Sequence, residues 1–214
     1  IVKDNWLGDF YSIGALLGRE YGNNVFFGNF ILDNTSSSLF YNNTFSGNVN
    51  NNTFSGNVDN NTFSGYVNSN TFSGNVNNNT FSGEVYNNTF SDNVYNNTFS
   101  GNVYNNTFSG NVDNNTFSGN VNNNTFSGNV YSNTFSADVN SNTFSGDVNN
   151  NTFTHTNPLQ YCTIASTLSN KTIDETTYPI LFGNGYKKEI VKASNGNDYI
   201  KTFDGTIDQY ILIP

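Results

Sequence analysis

His155 is the only histidine of this 214-residue chain and Cys162 its only cysteine. A thiol near an imidazole is the start of a nucleophile–base pair, but catalysis also needs a third group to orient the imidazole. The sequence offers none in a recognisable position. His155 therefore reads as a linker residue and Cys162 as a small buried thiol. A lone cysteine also excludes an internal disulfide framework.

Carboxylates are the next candidates, because pairs about 5–10 Å apart cleave glycosidic bonds. Between residues 41 and 153 the acids are Asp59, Glu84, Asp92, Asp113, Asp138 and Asp147. They are spread so thinly that none gains an acidic neighbour on its own side of a regular fold, and they read as solvated surface charges. Calcium-binding nonapeptides carry a recurrent Asp column, which is missing here, so no metal or other cofactor is expected. Six tyrosines remain: Tyr41, Tyr66, Tyr86, Tyr95, Tyr104 and Tyr131. Their aromatic rings, with neighbouring amides, suit contact with a sugar, and they form the candidate ligand-contact surface.

All six occupy variable slots of one repeating unit. The nine-residue pattern x-Asn-Asn-Thr-Phe-Ser-Gly-Asn-Val runs from Tyr41 to Phe153 without a register slip. Phenylalanine recurs every nine residues from Phe45 to Phe153, and valine follows four residues later from Val49 to Val148. Variation is confined to the first slot, to the slot before valine (Tyr66, Glu84, Asp138, Asp147), and to a few others such as Asp92 and Ala137 in the glycine slot. A period of this kind means stacked structural units.

The polar composition alone resembles a disordered tract. Two columns of large apolar residues in strict register argue for order, since burying each such side chain is worth about 1.5–3 kcal/mol. Asn, Thr, Ser, Gly and Val are poor helix formers, and the 4-then-5 spacing scatters Phe and Val around a helix axis. In a strand, Thr-Phe-Ser points Phe inward and both hydroxyls outward, and Val four residues later returns to the inner face. The odd step from Val to the next Phe needs a break in alternation, supplied by a bend at x-Asn-Asn. A gentler corner is expected at Gly-Asn. Because Asp92 and Ala137 also fill the glycine slot, that slot is not expected to be strictly left-handed.

The predicted fold is all-β: a β-solenoid of nine-residue repeats, two repeats or about 18 residues to a coil, with a strand-rich C-terminal cap. A 27-residue three-sided coil and a trimeric triple-stranded β-helix are the alternatives. Phe stacks on Phe and Val on Val, and the Asn ahead of Thr forms an amide ladder. The expected organisation is an N-terminal cap or junction over 1–40, the solenoid over 41–154 and a β cap over 155–214. Within these flanks, 25–31 reads as a degenerate repeat. Glu189–Ala193 and Asp198–Thr202 read as a hairpin around Ser194-Asn195-Gly196-Asn197.

The formal net charge is −9, and Lys3, Arg19, Lys171, Lys187, Lys188, Lys192 and Lys201 all lie outside the repeats. A surface without basic residues is unsuited to nucleic acid. No apolar run is long enough to span a bilayer, and the N-terminus lacks a signal-peptide layout. The absence of methionine, at position 1 included, is expected of a piece of something longer. Asn-x-Thr sequons recur in most copies, but glycans on every coil would crowd one another, so the Asn bend is the better account.

The repeat text Asn-Asn-Thr-Phe-Ser-Gly-Asn-Val resembles the tandem Asn-Thr-Phe-Gly nonapeptides of a group of β-solenoid proteins from gut Bacteroidetes and their phages. Here Ser is inserted into the commoner Thr-Phe-Gly order. Ser169-Asn170-Lys171-Thr172-Ile173, Tyr178-Pro179, Tyr186-Lys187-Lys188-Glu189-Ile190 and Ser194-Asn195-Gly196 resemble the strand-hairpin ending of those proteins. Members often carry Cys or Tyr where this chain has Val or Asn. The resemblance implies a phage tail fibre or surface appendage, located on a virion, outside the cell or at its surface.

The expectation is a non-catalytic fibre segment, a homo-oligomer with a trimer favoured, touching a cell-surface glycan, with no nucleic-acid partner and no membrane insertion. Two other classes compete with it. The outward Thr and Ser columns resemble the hydroxyl ladder of ice-binding β-solenoids, although those residues are also good strand formers. A tailspike-like glycan depolymerase is the enzymatic alternative.

Overall fold

The computed structural model describes residues 2–8, 10–13, 20–28, 30–33, 39–154, 162–164, 168–169, 189–192, 198–203 and 208–213. His155 and the turn 194–197 lie outside them.

Each repeat makes two strands of two residues, Thr-Phe and Val-x, such as Thr44–Phe45 and Val49–Asn50. Within the repeats, from Thr44 to Phe153, strands pair in parallel at a spacing of eighteen residues. Thus Phe45 lies against Phe63 and Val49 against Val67. One coil is therefore two repeats with four strands, and the repeats with the flanking strands that join them form a β-solenoid of four parallel sheets; the described chain is all-β. This register replaces the 27-residue coil. In chain order the four faces begin, in one coil, with Val58–Asp59, Thr62–Phe63, Val67–Asn68 and Thr71–Phe72.

The interior is built of identical side chains in contact. From Phe45 to Phe144 the phenylalanines are no more than 1% exposed, and every valine from Val49 to Val148 is fully buried. Successive phenylalanine rings on one face stack at 4.7–4.9 Å with planes only 3–7° apart, as in Phe63–Phe81 and Phe126–Phe144. So small an angle means that each coil is almost a pure translation of the last. Sheets ordinarily twist, and ladders of stacked side chains are one of the few devices that hold them flat.

The bend at x-Asn-Asn divides its work between two asparagines. The first of each pair takes the left-handed conformation, as at Asn87 (φ 57°) and Asn96 (φ 58°), with serine substituting at Ser69, Ser132 and Ser141. Asn tolerates this region because its short amide can satisfy local backbone groups. The second turns inward and is buried. Asn88, for instance, donates from Nδ2 to Val67 O (2.8 Å), Tyr86 O (3.0 Å) and Asn106 Oδ1 (3.1 Å). The expected amide ladder is thus present twice. One ladder runs from Asn5 through Asn24 and Asn43 to Asn151, the other from Asn52 to Asn142.

The glycine corner works differently from the asparagine bend. A Cβ on Gly101 would lie 2.3 Å from the Gly83 carbonyl oxygen of the preceding coil, so close backbone approach selects glycine there. No left-handed φ is required of it, in line with the expectation drawn from Asp92 and Ala137.

Strands on both flanks join these sheets. Trp6–Leu7 pairs with Val25–Phe26, which pairs with Thr44–Phe45. The degenerate repeat at 25–31 therefore stacks in register, with Phe26 against Phe45 at 4.9 Å. After the repeats, Thr163–Ile164 continues the fourth face and Leu168–Ser169 the first. Glu189–Lys192 and Asp198–Phe203 pair antiparallel as the hairpin reading expected, and Asp208–Ile213 adds a third strand. No helix among the described residues is long and apolar enough to cross a membrane.

Candidate binding surface

The six tyrosines sit at two kinds of position. Tyr41, Tyr86, Tyr95, Tyr104 and Tyr131 each end a strand just before the left-handed residue, with side chains pointing outward and half-buried. Ladder asparagines hold their backbones: Asn88, Asn97 and Asn106 donate to the carbonyls of Tyr86, Tyr95 and Tyr104 at 3.0–3.1 Å. Tyr66 instead fills the slot before valine and is 50% exposed.

With the coil set at eighteen residues, three of the six gather on the third face. Tyr86 and Tyr104 stack at 5.2 Å with planes 5° apart, and Tyr66 meets Tyr86 edge-on at 6.4 Å. Glu84, one coil after Tyr66 in the same column, accepts a hydrogen bond from the Tyr104 hydroxyl (3.2 Å) and one from Asn102 Nδ2 (3.4 Å). Partial burial, then the Glu84 charge and its hydrogen bond, push the Tyr104 hydroxyl above its ordinary pKa. The phenol therefore stays a donor to Glu84 through neutral pH.

This packing decides how a sugar could use the cluster. Sugars stack on aromatic faces, and the faces of Tyr86 and Tyr104 that look at each other are already taken. What remains is the half-exposed ring of Tyr66 and the outer edges of the stacked pair, since Asn122 follows Tyr104 in the column. Glu84 and Asn102 lie beside them as hydrogen-bonding groups.

The other three tyrosines are on the first face and do not form one patch. Tyr95 and Tyr131 are separated by Asp113, which pairs with both. The ring of Tyr41 lies under the Lys3 ammonium (5.4 Å to its centroid), its hydroxyl donates to Glu20 at 3.5 Å, and Lys3 bridges to Glu20 at 2.9 Å. That contact raises the Lys3 pKa, through its bonds to Tyr41 and Glu20, and lowers that of Glu20, chiefly through Lys3.

Glu84 and Asn102 were not singled out from the sequence as binding residues. The signal was available in the register, since Tyr66, Glu84 and Asn102 are successive members of one eighteen-residue column. Asp59 and Asp113 share a face but lie three coils apart, and Asp138 and Asp147 precede valines on opposite faces. Among the described residues no group of three or more His, Cys, Asp or Glu could hold a metal ion.

Between Thr44 and Ser145 the second and fourth faces carry no aromatic ring outward, and one coil earlier the 47% exposed Phe27 stands in the serine column of the second face. They present the Thr and Ser columns, all half or fully exposed between Thr44 and Ser145. Comparison with known protein families, with curated proteins and with solved structures gives no match for this chain.

Proposed function

We propose that this chain is a non-catalytic structural segment: a stiff β-solenoid shaft of an extracellular or virion appendage, of the phage tail-fibre or adhesive kind. It acts as a homotrimer and presents tyrosines to a cell-surface glycan. The observation that carries the reading is the uninterrupted stack itself. From Tyr41 to Phe153 no insertion breaks the coils, and each is tied to the next by ring, amide and backbone contacts. Such a column resists bending, and it leaves no long loop for a protease to enter.

The glycan half of the reading rests on Tyr66, Tyr86, Tyr104 and Glu84. Amides and carboxylates bond sugar hydroxyls, and an exposed tyrosine supplies the apolar face. Two measurements test the proposal. Light scattering after gel filtration gives the mass in solution, where a trimer is expected and a monomer removes the trimeric fibre. A glycan array probed with the chain and with a Tyr66→Ala/Tyr104→Ala variant should show binding that the variant loses. Shortening of a bound polysaccharide, abolished by Glu84→Gln, would overturn the non-catalytic part.

A further inference from the structure

The second and fourth faces hold a feature that the glycan reading does not use. On the second face a threonine recurs every eighteen residues from Thr44 to Thr152, with a serine two residues after each as far as Ser136; the fourth face repeats this from Thr53 to Thr143. Each face is thus a two-column grid of hydroxyls. Along the axis the repeat is that of the coils, 4.7–4.9 Å in the stacked rings directly beneath. Across the face, two residues of extended chain separate Thr from Ser by roughly 6.6–6.8 Å. The near-parallel rings of successive coils keep the grid flat over six coil steps.

Three properties of the grid identify what it fits. Among the described residues from Thr44 to Thr152, no hydroxyl of the threonine columns donates to a protein acceptor, so their hydrogen bonds go outward; only Thr154, beyond them, bonds back, to Phe135 O at 3.5 Å. No charged residue enters either column in any copy, although Glu84, Asp92, Asp138 and Asp147 occupy neighbouring slots. From Thr44 to Thr152 no aromatic ring enters them either, since the six variable-slot tyrosines fall in other columns; the exposed Phe27 lies one coil before the grid begins. A neutral, flat surface that repeats in two directions complements a ligand that does the same. A crystalline polysaccharide would call for a row of aromatic platforms, which the grid from Thr44 onward lacks. An ordered water lattice needs only regularly spaced hydroxyls with small apolar groups between them.

We infer that the second and fourth faces are two ice-binding surfaces, each docking its Thr and Ser grid onto a plane of an ice crystal. The inference is independent of the glycan reading, which uses the third face. The test is thermal hysteresis and ice-crystal shaping with the full chain. Three variants accompany it: Thr80/Thr98/Thr116/Thr134→Tyr on the second face, Thr71/Thr89/Thr107/Thr125→Tyr on the fourth, and both sets together. Circular dichroism and cooperative melting establish that each is folded, and the single Thr98→Tyr change serves where a fourfold variant is not. The parent chain should facet ice and show hysteresis; each one-face variant should retain part of it, and the combined variant none. Tyr86→Ser/Tyr104→Ser should leave it unchanged. Absence of ice shaping by the parent at millimolar concentration overturns the inference. So does full hysteresis in the folded combined variant, or retention on crystalline cellulose without ice shaping, which would assign the grid to a polysaccharide.

Discussion

Asn142 donates its side-chain N–H to the Sγ of Cys162 at 3.9 Å, where the preceding members of its ladder meet the amide oxygen of another asparagine. The thiol in turn donates to Val139 O at 3.2 Å, as ladder amides donate to core-strand carbonyls. Cys162 thus stands at the ladder's end as a sulfur substitute for asparagine. Burial pushes its pKa up to about 11, with bonds from Asn142 and Ser141 opposing.

Little thiolate should therefore exist near pH 8, and thiolate is the reacting species. Alkylation of the folded chain by iodoacetamide at that pH is expected to be at least about tenfold slower than in denaturant, given a displacement of this size. Because the folded pKa lies above the unfolded one, the thiol's contribution to stability is complete below about pH 9 and is lost as pH rises through about 11. The melting temperature of the parent should fall across that window relative to Cys162→Ser. Equal alkylation rates in the folded and denatured chains would show that the sulfur is not held in the ladder.

Asn97 lies within the other ladder, with members on both sides. Its Oδ1 accepts from the Asn79 backbone N–H (2.8 Å) and side chain (3.0 Å), and its Nδ2 donates to Val76 O, Tyr95 O and Asn115 Oδ1. Leucine would fill much of the space and orphan several of these groups at once, each costing about 1–3 kcal/mol when buried. Asn97→Leu should lower unfolding free energy by roughly 3–5 kcal/mol in urea titration. Asn97→Asp supplies acceptors only and introduces a buried charge, so its loss should deepen as pH rises through the carboxylate range.

Phe99 is fully buried, with rings at 4.8 Å on both sides, Phe81 and Phe117. Phe99→Ala should cost about 3–5 kcal/mol. Phe153 is 4% exposed and its stacking contact is with Phe135 at 5.1 Å. Phe153→Ala should cost less, and in a repeat array, where stability is a sum of neighbour terms, it should fray the end without dividing the column. Equal losses in the two variants, read from urea denaturation, would show that the array does not behave as a one-dimensional stack.

These residues also mark what could be read beforehand. The Phe and Val columns, the bend at x-Asn-Asn and the amide ladder follow from a strict period and from which side chains tolerate burial only with partners. The assignment within the Asn pair, first left-handed and second buried, was not legible, because both positions carry the same amide. The tyrosine cluster was obscured for a different reason. A nine-residue period is compatible with any whole number of repeats per coil, and a 27-residue coil would have placed Asn93, not Glu84, after Tyr66. On the N-terminal flank, ladder members Asn5, Asn24 and Asn43 are 19 residues apart. A search for nine-residue periodicity passes over them.

Asn87 sits at φ 57° on the exposed corner between Tyr86 and its ladder residue. A β-branched side chain is strained there, whereas glycine is not. Asn87→Val should destabilise by about 1–2 kcal/mol while Asn87→Gly stays near neutral. The difference between the two in thermal melts isolates backbone conformation from loss of the amide.

Glu84 holds the third-face cluster together, and its removal separates two causes of the Tyr104 shift. Partial burial is the larger cause and persists in Glu84→Gln, while the charge disappears and the hydrogen bond weakens. The Tyr104 pKa should therefore fall toward the ordinary phenol range without reaching it, which ultraviolet titration of tyrosinate can follow against a Tyr104→Phe control. The substitution removes the carboxylate from a surface meant for sugar hydroxyls but leaves the ring of Tyr66 in place. Glycan binding should therefore weaken in Glu84→Gln, and be lost in Tyr66→Ala/Tyr104→Ala whether or not Glu84 is kept. A Tyr104 titration unchanged by Glu84→Gln would mean that the pair is not joined in solution, and the carboxylate would then be free to meet a ligand on its own.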